Sequence, residues 1–522
     1  MIRRTGALAL FTALLACAFA LSAKSDPKPA PLKFQITLAE GAADGPLSGR
    51  LFVVLGKSGQ QEPRLSVGRT GMDAPPVFAR DVKDFRPGAQ VVIDESAAGF
   101  PVENLSKVRA GEYFVQAILD TNRDLKSVNA PGNLYSGVEK ARVDPAGGGT
   151  INVTLRQKVP PEELPAETEH LRYVKLRSEL LSRFHGRPIY LRAGIILPRS
   201  YAAEPSRKYP LRVHIGGYGD RFTEVGDMLS PGSEFQRTWS AADAPQMILL
   251  HLDGDGPFGD SYQIDSDNNG PYGRALTEEL IPYVEKNFRG VGEPYARVLD
   301  GGSTGGWVSL ALQIFYPDYF NGTWSYCPDG VDFRAFQLVD IYSDKNAYLN
   351  RHGFERPSAR DLSGDTRFTM RHELQLENVM GAGDSWAMSG GQWGAWNAAY
   401  GPRGADGRPV PLWDPKTGEI DQSVLESWKK YDLRLVLEKN WGALAPKLGG
   451  KINIWVGEAD NYFLNNAVHL LDGFLSKASP PFRGRIAYGP GKGHCWLGLT
   501  QRQMMDEMLR AVEQGRSVRG RG

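Results

Sequence analysis

Between residues 32 and 156 the chain alternates apolar and polar positions in short runs, at 33–38, 49–55, 90–93, 111–119 and 150–155, each closed by turn-forming residues. Successive side chains of a strand point to opposite faces, so this pattern predicts a small β-sandwich. A Pro- and Glu-rich stretch at 159–167 breaks the alternation and opens a helical segment that runs to Leu181, so 157–184 reads as linker and helix. Beyond it, apolar strands at 189–197, 211–215, 246–252, 297–299, 322–327, 452–456 and 485–488 alternate with helical stretches. One of these, 276–287, places Leu276, Leu280, Ile281 and Val284 at helical spacing. That is the pattern of a mainly parallel sheet covered on both faces, and it predicts an α/β domain over 185–515. Within this domain 342–441 has little strand character. It holds Trp386, Trp393, Trp396, Trp413, Trp428 and Trp441, six of the chain's 11 tryptophans, and reads as an inserted cap. Those indoles, with Tyr400, form either a platform for sugar rings or aromatic acyl groups, or a core of the cap's own. Trp496, beside His494, is the aromatic residue best placed to touch a substrate.

Charge narrows the function classes. The 61 Lys and Arg balance 60 Asp and Glu, so no strong field draws the protein to nucleic acid. Three cysteines build neither a disulfide scaffold nor a four-cysteine zinc site. Arg3 and Arg4 precede an apolar run, 6–21, that ends near Ala18, Phe19 and Ala20, which predicts a signal peptide over 1–23 and a periplasmic or secreted protein. Cys17 offers the alternative of a lipoprotein signal. No later segment is long and apolar enough to span a bilayer. Asn104, Asn152 and Asn321 stand in glycan-acceptor triplets, which chance explains as simply.

The chemistry concentrates at 297–307, where a short strand runs through Gly301, Gly302, Ser303, Thr304 and Gly305 into a helix. Gly-x-Ser-x-Gly in that context predicts a nucleophile elbow: a serine in a strained turn, with glycines that let strand and helix approach. A serine needs a base and an orienting acid, in the chain order Ser, acid, His. Asp460 follows the strand at 452–456, with Glu458 as reserve. His494 ends the glycine-rich loop after the last strand. The oxyanion donors are the N–H of Thr304 and that of Tyr218 or Gly217 in the glycine-rich turn after 211–215. Asp253, Asp255 and Asp260 follow the strand at 246–252 and stand near the pocket mouth, as polar substrate contacts or as solvated loop acids. Cys327 and Cys495 flank the site in the topology and form either a disulfide that fixes the His494 loop or two buried thiols. The Asp265–Gly270 stretch begins like a calcium loop but has Leu276 at position twelve, so it is no EF-hand. The Asp120–Asp124 loop also lacks the later acid, and Asx turns explain both.

The elbow, the 270–273 turn leading into 279–285, the 457–460 acid loop and the 493–496 His loop together resemble the putative-esterase family. That family embraces enterochelin-esterase-like, feruloyl-esterase-like and S-formylglutathione-hydrolase-like enzymes. The resemblance spans about 185–515 without the insertion. It implies an α/β-hydrolase fold and hydrolysis of a carboxylic ester, of a small molecule or polysaccharide, by Ser303, His494 and Asp460 with no cofactor or metal. Two other readings share parts of this pattern: a serine peptidase of the oligopeptidase kind, and a non-catalytic glycan-binding protein on the same scaffold.

Overall fold

The computed structural model describes residues 30–519 apart from residue 72, so the signal segment read at 1–23 and Cys17 lie outside the described residues. The amino-terminal region is all β. Its strands are β1 (Lys33–Leu38), β2 (Leu47–Gly56), β3 (Val77–Phe85), β4 (Gln90–Ile93), β5 (Ala98–Phe100), β6 (Gly111–Asp120), β7 (Leu134–Ser136), β8 (Glu139–Val143) and β9 (Thr150–Lys158). They form one hydrogen-bonded set, in the order β4-β1-β9-β7-β6-β2-β3-β5 with β8 on β6, rather than two separately bonded sheets. Arg80 of β3 donates to the Val92 carbonyl of β4 at 2.8 Å, which brings distant strands of the set together. Phe34, Ile36, Leu51, Val53, Val115 and Leu155 meet inside as one core.

Where the sequence pattern predicts a helical segment running to Leu181, residues 171–178 instead form a strand, β10 (Leu171–Ser178). It pairs antiparallel along its length with β11 (Ile189–Ile196). A helix starts only at Glu179, where the Ser178 hydroxyl accepts the Leu181 N–H. The sheet continues with β12 (Leu211–Ile215), β13 (Ile248–Leu252), β14 (Arg297–Gly302), β15 (Thr323–Tyr326), β16 (Ile452–Gly457) and β17 (Arg485–Gly489), in the order β10-β11-β13-β12-β14-β15-β16-β17. Only β11 runs against its neighbours. This is the α/β-hydrolase arrangement. At its centre β14 passes into α1 (Thr304–Phe315), which is buried for nearly its whole length. No helix among the described residues is long and apolar enough to cross a membrane.

The 342–441 segment contributes α2 (Met370–Met380) and α3 (Gln392–Tyr400). Its tryptophans neither form a platform nor keep a separate small core. Trp386, Trp393, Trp396, Trp413 and Trp428 are all buried in the same apolar cluster as Val213, Leu250 and Trp307 of the sheet and α1.

The β region packs on this segment. Phe52, Val54, Phe100 and Ile118, from the outer face of its strands, meet Leu376 and Val379 of α2. At the end of α2, where the last carbonyls have no partner within the helix, Arg50 of β2 donates to the carbonyls of Asn378 and Val379. The same guanidinium, only 3% exposed, pairs with Asp81 and Asp384. Leu376→Ala removes buried apolar volume from this seam. The expected cost is about 2–5 kcal/mol of stability, read as a lowered thermal midpoint, whereas a wild-type midpoint would mean that the seam contributes little.

Candidate active site

Ser303 sits at φ 56° and ψ −122° between β14 and α1. Crowding imposes this conformation. A Cβ on Gly301 would collide with the carbonyl oxygens of Gly305 and Ile215, and one on Gly305 with those of Ile215 and Gly216. Beneath the turn, Arg212 of β12 grips Asp300 of β14 through two bonds of 2.7 Å, and His214 Nδ1 lies 2.8 Å from the same carboxylate. Burial opposes ionisation of Asp300, but the charges of Arg212 and His214 prevail and hold its carboxyl well below the usual range.

The loops after β14, β16 and β17 bring three of the sequence-predicted residues into one chain of bonds. The Ser303 hydroxyl lies 3.1 Å from His494 Nε2, and His494 Nδ1 lies 2.8 Å from Asp460 Oδ2. Asp460 is fully buried, and its other oxygen accepts the N–H groups of Tyr462 and Leu464. An Nδ1–H held on that carboxylate leaves Nε2 free to accept the serine proton. Asn461 accepts the His494 backbone N–H at 2.9 Å, and the Tyr462 ring packs edge-on against the imidazole. Glu458 is not in this chain; it faces His469.

Cys327 and Cys495 are joined by a disulfide with Cα atoms 4.8 Å apart. Cys327 Sγ also accepts the Ser303 N–H at 3.2 Å, so this bond ties the His494 loop to the elbow. Among the described residues, Cys327, Cys495 and His494 are the one His, Cys, Asp or Glu group dense enough to ligate a metal, and its two sulfurs are spent on each other.

Of the expected oxyanion donors, Thr304 opens α1, where a backbone N–H has no intrahelical acceptor. Gly217 is excluded, because its N–H donates to Asp220 Oδ2 at 2.8 Å. Tyr218 remains: among the described residues its N–H finds no acceptor, while its hydroxyl donates to the Gly390 carbonyl.

A cavity of about 880 Å³ opens over Ser303 and His494. Asp255 and Asp260 line it, but Asp253 does not; it is buried under Arg221 and Arg192. Trp496 is also absent from the lining. Its ring lies over Gly489 and Gly498, packed with the carboxyl-terminal helix. Trp396, from the inserted segment, does line the cavity, as do Tyr462 and Asp329. The two Asx-rich loops do not gather oxygens around a common point: Asn122 accepts the N–H groups of Asp124 and Leu125, and Asp267 pairs with Lys430.

Sequence reasoning missed Asp329. Its Oδ1 lies 3.5 Å from the Ser303 hydroxyl, while Oδ2 accepts Tyr262, Thr304 and Trp396 at 2.5, 3.1 and 3.1 Å. Burial pushes its carboxyl up against these donors. The signal was present, since Asp329 lies just past a central parallel strand, as Asp460 does.

Burial likewise pushes the Asp260 carboxyl up to about 7, opposed by the Tyr262 N–H that it accepts. In the unfolded chain an Asp titrates near about 4. Between these values the folded protein holds a proton that the unfolded chain releases, so this group makes stability fall as pH rises from about 4 to about 7, with little change beyond. The denaturation midpoint of Asp260→Asn relative to wild type is expected to rise as pH goes from about 4 to about 7. Parallel curves for variant and wild type would refute the assignment.

Residues 190–432 match the family described as "Putative esterase", a stretch that includes Ser303 and ends before Asp460 and His494. No curated protein matches the chain. Among solved structures, the chain is similar to a ferulic acid esterase at 15% identity, with 66% of this chain and 96% of that one covered and a TM-score of 0.36. It is similar to the fluorophosphonate-binding serine hydrolase F of Staphylococcus aureus at 11% identity, covering 66% and 97%, with a TM-score of 0.37. It is also similar to an S-formylglutathione hydrolase from Agrobacterium tumefaciens at 11% identity, covering 66% and 94%, with a TM-score of 0.35.

Proposed function

With residues 190–432 carrying an esterase-family pattern on an α/β-hydrolase sheet, we propose that the protein is a serine hydrolase of carboxylic esters. The observation that carries this reading is the unbroken chain from the Ser303 hydroxyl through His494 to the buried Asp460. Ser303 attacks the ester carbonyl as His494 Nε2 takes its proton, and Asp460 stabilises the imidazolium that forms. The N–H groups of Thr304 and Tyr218 hold the oxyanion, in the region where the start of α1 favours negative charge. His494 then protonates the leaving alcohol, and a water activated by the same nitrogen releases the acid from the acyl-enzyme.

The substrate we favour is an ester of a carbohydrate or a phenolic acid. A cavity of about 880 Å³ has room for such a group on either side of the scissile bond, and the aromatic residues Trp396, Phe368 and Tyr462 stand in its wall. The basic start and the apolar run at 6–21 support export to the periplasm or beyond.

A fluorophosphonate probe, followed by peptide mass analysis, is expected to mark Ser303 in the wild type and nothing in Ser303→Ala. His494→Ala is expected to lower ester turnover by at least about a thousandfold. Absence of labelling in folded wild-type protein would refute the serine mechanism. Reducing and alkylating the Cys327–Cys495 bond frees the His494 loop from the elbow, so kcat is expected to fall several-fold with KM less affected. Unchanged kcat after verified reduction would show that packing alone positions the imidazole.

A further inference from the structure

The cavity over Ser303 is not built by the α/β domain alone. Residues 67–70 and 126–128 of the β region form part of its wall, and they are held there by more than the apolar seam. The Lys126 N–H donates to Asp255 at 3.4 Å, and the Gly71 N–H donates to His372 of α2 at 3.2 Å. Both domains therefore contribute charged groups to one space.

Nearly all of those charges are already engaged inside the protein. Asp220 accepts the Gly217 N–H, Arg221 is divided between Asp253 and Glu162, and Lys126 Nζ pairs with Asp120. Asp255 and Asp260 accept backbone N–H groups, and Asp329 accepts three side-chain donors. Glu373 takes Ser358 and Trp393, while Glu377 takes Ser389 together with the N–H groups of Trp393 and Gly394. Two guanidinium groups are the exceptions. Arg69, from the β region, and Arg367, from the inserted segment, both line the cavity and are exposed. Among the described residues neither side chain has a hydrogen bond or an ion pair. Arg367 is close enough to Tyr462, the residue packed on His494, for its charge to act on that phenol.

An unpaired guanidinium presents a planar fork of N–H donors that fits a carboxylate in two parallel bonds. Two of them line one cleft, and neither is held by another of the described residues, so both are free to meet a carboxylate of a ligand.

We propose that Arg69 and Arg367 select esters bearing a carboxylate close to the scissile bond, and that the β region is thereby part of the substrate site rather than an appended module. The inference rests on the serine-hydrolase reading above and narrows its substrate class. It leaves open whether the charge belongs to the acid or to the alcohol, which the probes separate.

The test uses the full chain and two matched pairs of substrates. Mono-4-nitrophenyl adipate against 4-nitrophenyl hexanoate places the carboxylate on the acyl side, and 4-carboxyphenyl acetate against phenyl acetate places it on the alcohol side. In one pair, Arg69→Ala and Arg367→Ala are each expected to lower kcat/KM for the anionic member about tenfold and to leave the neutral member within about twofold, as loss of one charge-assisted bond would. Added salt should weaken turnover of the anionic member alone. Equal effects on both members of each pair, or none on either, would overturn the proposal while leaving the esterase reading intact. Failure of wild type to turn over any of the four probes, with Ser303 unlabelled, would overturn the reading beneath it. Thermal midpoints of both variants, expected at the wild-type value because neither side chain has a partner to lose, separate lost recognition from lost folding.

Discussion

Everything at this site depends on one residue being held in a backbone conformation it would not otherwise choose. A left-handed turn at Ser303 costs free energy, on the order of 1–3 kcal/mol, and persists only where its surroundings leave no alternative. Here they leave none. Two parallel strands, β12 and β14, and the start of α1 converge so closely that only hydrogen fits on Gly301 and Gly305, and the Arg212 grip on Asp300 keeps β12 and β14 from sliding apart below the turn. The strain aims the hydroxyl outward and turns the first N–H groups of α1 toward the same point. The Ser303 turn and the placing of the first N–H groups of α1 are thus consequences of one packing constraint.

The remaining parts arrive on loops, which need restraint because they lack the sheet's rigidity. The His494 loop is glycine-rich, and three independent ties fix it: the bond to Asp460, the bond from its backbone to Asn461, and the disulfide beside it. Cys327 has two tasks, since its sulfur also receives the Ser303 N–H. The same atom therefore touches the His494 loop and the Ser303 backbone, and the Cys327 N–H anchors it to Trp455 of β16. Asp329 adds a carboxylate on the serine's other side, bound by groups from α1, from the loop after β13 and from α3.

How much of this could be read in the sequence varied with the range of the interaction. The elbow and both loops were legible because each is local: a strand, a short run of glycines and one reactive residue. The strands at 33–38, 90–93 and 211–215 were legible for the same reason, since alternation or a short apolar run is a property of a few neighbours. β3 was not, because Arg80, Asp81, Lys83 and Asp84 interrupt its pattern and its strand character comes from pairing with β2. β10 was misread as helix on similar grounds, its partner β11 lying beyond the short helix that starts at Glu179. The tryptophans show the limit on the site itself. Composition marked them as unusual, yet which of them faces the cavity depended on how 342–441 folds back onto the sheet. Trp396 meets the cavity, whereas Trp496, two residues after His494, turns away from it.

Arg50 gives the contact between the β region and the 342–441 segment a further significance. A buried guanidinium that closes the end of a helix in another domain cannot be left behind without exposing that helix's last carbonyls, nor retained alone without burying a charge that has lost part of its cage. The stretch from 157, which reads in the sequence as a linker, is thus spanned by shared structure. A truncation there would part Arg50 from the helix end it closes and strip the wall of the cavity of residues 67–70 and 126–128.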